Sequence, residues 1–143
     1  MMRWVCLLAG LVACSASSEG TSTSVTALSF AAEPLTTLSS TSGALRIAVR
    51  TAPAQPPSRG VQSVELVVSD GVTGAAEAGL ALTVLPWMPA MGHGASLTPT
   101  VQEGPPGTYV VGNVDFFMPG TWELRTTLSG AITDYVAPSF QIP

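Results

Sequence analysis

Lysine is absent from the 143 residues, and five arginines face nine acidic side chains. A chain so poor in cations has no basic stripe, which excludes nucleic acid as a partner. Histidine occurs once, at His93. That rules out a two-histidine zinc site and leaves a Ser/His/Asp triad a single base to draw on. No serine sits in a Gly-x-Ser-x-Gly elbow, and neither common phosphate-binding glycine loop is present. The acids are scattered along predicted strands without a paired-carboxylate pattern. These absences argue against an enzyme.

Cysteine is scarce too: Cys6 and Cys14 are the only two. The one sustained apolar run, Val5 to Ala13, is about nine residues long, far short of the ~20 a membrane-spanning helix needs. Preceded by Arg3 and ending in small residues, it has the pattern of an export signal. Leu11-Val12-Ala13-Cys14 resembles the bacterial lipobox, whose cysteine is lipidated and becomes the new N-terminus. The expected organisation is a signal peptide over residues 1–13, a Ser/Thr-rich tether over 14–24 and one domain over 25–143. Lipid on Cys14 would anchor the protein to a membrane of the cell envelope. Ser15 in place of Asp favours the periplasmic side of the outer membrane, where the organism has one. The mature chain would then carry no thiol, and four arginines against nine acids would leave it at a net charge of −5.

Twelve prolines and fourteen glycines cut the remainder into short segments. Ala44 to Thr51 alternates, with Leu45, Ile47 and Val49 on one face and Arg46 and Arg50 on the other. The proline-rich stretch Ala52 to Gly60 admits neither a helix nor a central strand. Further strands are predicted over Val61–Ser69, Gly79–Leu85, Ser96–Gln102, Thr108–Phe117 and Thr121–Ser129. Trp122, Leu124 and Thr126 share one face of the last of these, opposite Glu123 and Arg125. A final strand over Tyr135–Ile142 is interrupted by Pro138, which marks it as an edge. Val25 to Leu38 supplies at most one more strand. The whole pattern predicts an all-β fold, a single immunoglobulin-like β-sandwich of about seven antiparallel strands.

The chemistry of interest lies in two turns. Pro86-Trp87-Met88-Pro89-Ala90-Met91-Gly92-His93-Gly94 gathers two methionines and the only histidine, and Met118 ends the run Phe116-Phe117-Met118 ahead of Pro119-Gly120. Apart from Met1 and Met2, these are all the methionines in the chain. Thioethers are soft, uncharged ligands that suit Cu(I), and a neutral imidazole adds a nitrogen. Zinc and calcium would need more His, Cys or carboxylate than the sequence offers here. The competing reading has the methionines filling gaps at one end of the sandwich. Trp87 is either a lid that covers a bound metal with its ring face or a core plug at a strand end. If copper binds, Met118 must lie beside the Met88–His93 loop; if the residues only pack, it need not.

Three motifs occur in order over about residues 45–130: Met88-Pro89-Ala90-Met91-Gly92-His93, Gly107-Thr108-Tyr109, and Met118-Pro119-Gly120-Thr121-Trp122-Glu123-Leu124. With Val61 to Leu66 ahead of them, they resemble the YtkA-like domain, a relative of the FixH-like proteins. The resemblance implies an extracytoplasmic β-sandwich, often lipid-anchored and associated with copper handling or efflux. It implies no reaction. Carried over residue by residue, it makes Met88, Met91, His93 and Met118 the metal loop, with copper as Cu(I) and a copper efflux or envelope protein as a possible partner. The alternative is a structural or protein-interaction module of the envelope without a metal.

Overall fold

Alternating apolar residues and proline-rich breaks leave the chain no route to a helix, and none forms in residues 28–143, which the computed structural model describes. The expected signal peptide, Cys14 and the tether lie outside the described residues. Ten strands follow in order: β1 (Thr36–Ser39), β2 (Leu45–Ala52), β3 (Gly60–Asp70), β4 (Ala81–Met88), β5 (His93–Gly94), β6 (Thr100–Glu103), β7 (Thr108–Phe116), β8 (Gly120–Ser129), β9 (Thr133–Val136) and β10 (Ser139–Ile142). They make two antiparallel sheets. One has the order β1-β2-β3-β7-β6 and the other β10-β8-β4-β5, with β9 also pairing with β8.

The predicted sandwich is therefore present, with more strands than the seven expected. The surplus is in short pieces: β1 and β6 span four residues each and β5 spans two. Pro138 divides the last predicted strand into β9 and β10, which pair with successive stretches of β8 and form an edge as expected. The predicted strand at Ser96–Gln102 shifts to Thr100–Glu103.

The alternation read from the sequence builds the core. Leu45, Ile47 and Val49 of β2 and Val64, Leu66 and Val68 of β3 face Trp122, Leu124 and Leu128 of β8, all essentially inaccessible to solvent. Each such side chain contributes about 1.5–3 kcal/mol when fully buried. On the outer face of β8, Glu123 and Arg125 form an ion pair at 3.0 Å.

Strand β4 passes through Pro86, where the sequence predicts a loop. The backbone directions explain why the proline is tolerated. The Leu124 N–H donates to the Pro138 carbonyl, so it points away from β4. Its register partner Pro86 likewise directs its backbone away from β8, toward the open side of β4. A residue without an N–H costs the β4–β8 ladder nothing there.

Two ties hold the sandwich at its other end. The Tyr109 hydroxyl donates to the Glu77 carbonyl at 2.8 Å and accepts from the Leu80 N–H at 3.0 Å, clamping the crossing from β3 to β4 against β7. Gly107, two residues earlier, has φ +76, and a Cβ there would meet the Val68 carbonyl oxygen at 2.6 Å. The Gly-x-Tyr motif is thus a close backbone approach followed by a hydroxyl clamp. On the β9 side, the Asp134 carboxylate accepts from the Ser42 hydroxyl at 2.5 Å and from the Ser42 and Tyr135 N–H groups. The Ser40 and Ser42 hydroxyls and these amides hold its pKa down to about 2, against the opposing pull of burial.

Candidate metal centre

At the end of the sandwich where β4 and β7 finish and β8 begins, the Met/His loop forms a hairpin. Met88 and His93 are register partners that close a four-residue loop, Pro89 to Gly92. Pro89, with its fixed φ, takes the second position of the turn, and the Met91 N–H returns to the Met88 carbonyl at 3.1 Å. Gly92 follows at φ +68, and its N–H also reaches the Met88 carbonyl, at 3.0 Å. The backbone therefore bends sharply between Met88 and Met91. Cross-strand partners project from the same face of a ladder with their Cβ atoms about 5 Å apart. Met88 and His93 accordingly share the inner face of this hairpin.

The second turn packs against the first. A Cβ on Gly120 would lie 2.7 Å from Cε of Met88, so the end of the Met88 thioether rests on the Gly120 backbone. Gly120 adopts φ +126, a conformation that further favours glycine. Phe117 stacks on the His93 imidazole with centroids 5.8 Å apart and planes 18° from parallel. Met118 thus lies in the chain between two residues that touch the hairpin, one through Met88 and one through His93. Its carbonyl accepts the Trp122 indole N–H at 2.9 Å, which fixes the turn to the core. From outside, Arg59 donates to the Phe117 carbonyl at 3.2 Å.

The four methionine and histidine positions differ in access. Met88 is buried, His93 and Met118 are half-buried, and Met91 at the hairpin tip is 55% exposed. Nδ1 of His93 lies 3.2 Å from the Gly94 carbonyl, which leaves Nε2 as the nitrogen without a protein contact of this kind. Trp87 occupies the opposite face of β4. It pairs in register with Gly94, and the Arg125 guanidinium stands 4.9 Å from its ring centroid. Among the described residues, no three His, Cys, Asp or Glu side chains converge. The soft donors at the hairpin and the 117–120 turn are thioether sulfurs, which suit a soft cation.

Two contributors to this site escaped the sequence reading. Phe117 is visible beside Met118, but nothing in the sequence says that it covers His93. Gly120 reads as turn punctuation, whereas its lack of a side chain makes room for Met88.

The geometry has the order of elements that the three motifs foretell: Met/His hairpin, Gly-Tyr clamp, and a Met-Gly-Trp turn entering a buried strand. The model of the YtkA-like family matches residues 41–127, more than half of the chain. The chain belongs to the YtkA-like family. The match runs from just after β1 into β8, so the whole hairpin and the Met118 turn fall within the YtkA-like region, while β1, β9 and β10 lie outside it. No curated protein and no solved structure matches the chain.

Proposed function

We propose that this YtkA-like protein is a non-enzymatic module, anchored at the cell envelope through lipid on Cys14, that binds Cu(I) as cargo and passes it to an envelope partner. Met88, Met91, His93 and Met118 are its ligands. The observation that carries the reading is the seam between the hairpin and the 117–120 turn, where Met88 rests on Gly120 and His93 stacks on Phe117. Met118 is in that same turn, so three soft or borderline donors belong to two touching elements. Exposed Met91 at the tip is the group through which an incoming or departing ion is first met, since thioether exchange needs access. The reading gives Trp87 no part as a lid, because alternation along β4 turns its ring to the face opposite Met88.

The test is a titration of the protein with Cu(I) against a competing chelator, in parallel with Met88→Leu, Met91→Leu, Met118→Leu and His93→Ala. Leucine keeps most of the volume of methionine, so packing changes by less than about 1.5 kcal/mol while the sulfur is lost. One ion per chain in the wild type and at least about tenfold weaker binding in each variant is the expected result, a loss of ~1.4 kcal/mol per ligand. No uptake by the wild type, or four variants that bind as it does, rejects copper and leaves a module whose methionines only pack.

A further inference from the structure

Sheet edges expose unpaired backbone groups, and proteins protect them with short strands, charged side chains or proline. Three of the edges here follow that rule: β1, β6 and β10 span four residues each, and β6 ends in Glu103. On the open side of β4 the one such device is Pro86, near the end of the strand. Among the described residues, β5 pairs with β4 only at Trp87 and Met88 and reaches the Pro86 carbonyl through Gly94, leaving Ala81 to Leu85 without a paired strand on the side away from β8. Residues 78–102, which include this edge, contain no Asp, Glu, Lys or Arg. Leu85 on the outer face is 45% exposed, and the core-facing Leu82 and Val84 stay half-exposed where their counterparts on β2 and β3 are fully covered.

The directions of the backbone groups follow from Pro86, which points toward the open side. With the two-residue period of a strand, Val84 and Leu82 present their N–H and C=O groups to the same side. We infer that this edge pairs antiparallel with the β4 edge of a second copy of this chain, joining the two five-stranded sheets into one. The edge is complementary to itself. A two-fold axis at Thr83 sets Leu82 opposite Val84 of the second copy, and each such pair exchanges two backbone hydrogen bonds. On the outer face, Thr83 meets its own equivalent, and large Leu85 lies over small Ala81 of the second copy. A strand paired with itself brings identical residues together, so any charge at the centre would face a like charge; β4 has none.

The geometry also limits the ladder at both ends. Pro86 has no donor, β5 occupies the position beside Trp87, and the chain leaves the sheet at Leu80, whose N–H is bound to Tyr109 of the other sheet. In such a dimer the two Met88 residues lie ten strand positions apart, about 33 Å, at opposite ends. Neither copy completes the other's methionine cluster, so the pairing is independent of copper.

The experiment is sedimentation equilibrium of the full chain in density-matched detergent over a concentration series, with and without Cu(I). A monomer–dimer equilibrium unaffected by Cu(I) is expected, shifted to monomer by Thr83→Lys, which sets two ammonium groups face to face at an exposed position. In parallel, oxidised Thr83→Cys should give at least about tenfold more disulfide-linked dimer than Ala81→Cys, whose thiols would be about 13 Å apart along the strands. A monomer throughout the series, a dimer that Thr83→Lys leaves intact, or equal cross-linking of the two cysteine variants overturns the inference.

Discussion

Replacing Tyr109 by Phe removes one oxygen atom and leaves the ring where it is. The hydroxyl makes two hydrogen bonds, donating to the Glu77 carbonyl at 2.8 Å and accepting from the Leu80 N–H at 3.0 Å, and the ring is 1% exposed. The two losses are unequal. A net hydrogen bond is worth about 0.5–1.5 kcal/mol, but a buried donor left without a partner costs the full desolvation of that group, about 1–3 kcal/mol. Leu80 is buried, so its N–H becomes such an orphan, whereas the Glu77 carbonyl lies in a more accessible loop. Tyr109→Phe is therefore expected to destabilise by about 2–4 kcal/mol, read as a fall in the urea midpoint at unchanged slope. There is a pH signature as well. Burial raises the Tyr109 pKa above 10, opposed by the Leu80 N–H and reinforced by the nearby Glu103 and Glu77 carboxylates. The folded state thus holds this proton more tightly than the unfolded state, so the contribution is complete below pH 10 and is lost as the pH rises through the folded-state value. The wild type should lose stability in that alkaline window, and Tyr109→Phe should lack that part of the loss. A variant within about 0.5 kcal/mol of wild type, the range of ordinary surface changes, would refute the clamp.

Trp122→Ala should cost about 3–5 kcal/mol by chemical denaturation, because the ring is fully buried and its N–H holds the Met118 carbonyl. Asp134 has its pKa lowered from 3.8 to about 2, so its contribution is present above pH 3.8 and disappears as the pH falls through about 2. Acid unfolding of Asp134→Asn, followed by circular dichroism, should lack that component. Cys14 should incorporate labelled fatty acid in cells and Cys14→Ser should not; equal labelling would refute the anchor.

Strong, regular alternation made much of this architecture legible. Residues 45–50 and 121–125 alternate cleanly, and β2 and β8 appear there with the expected faces inward, Thr126 included. Boundaries shifted where a local rule met a tertiary one. Pro86 argues for a loop by itself, but its missing N–H costs nothing on the open side of β4, so the strand continues to Met88. The ligand candidates were readable because methionine is rare in this chain and confined to two turns. Their arrangement was not, because Gly120 under Met88 and Phe117 over His93 are contacts between residues 32 and 24 positions apart that no local pattern encodes. The edge of β4 was equally hidden: the absence of charge over residues 78–102 can be seen in the sequence, but which side of the strand lacks a partner depends on topology.

The central claim is that three thioethers and one imidazole act on a single Cu(I). It is tested most directly by NMR of the protein carrying 13C-labelled methionine methyl groups, titrated with Cu(I) under anaerobic reduction. The methyl signals of Met88, Met91 and Met118, assigned through their leucine variants, should all move and saturate together at one equivalent, with the His93 ring signals moving in step. Methyl signals that stay in place, or a shift confined to exposed Met91, would contradict it.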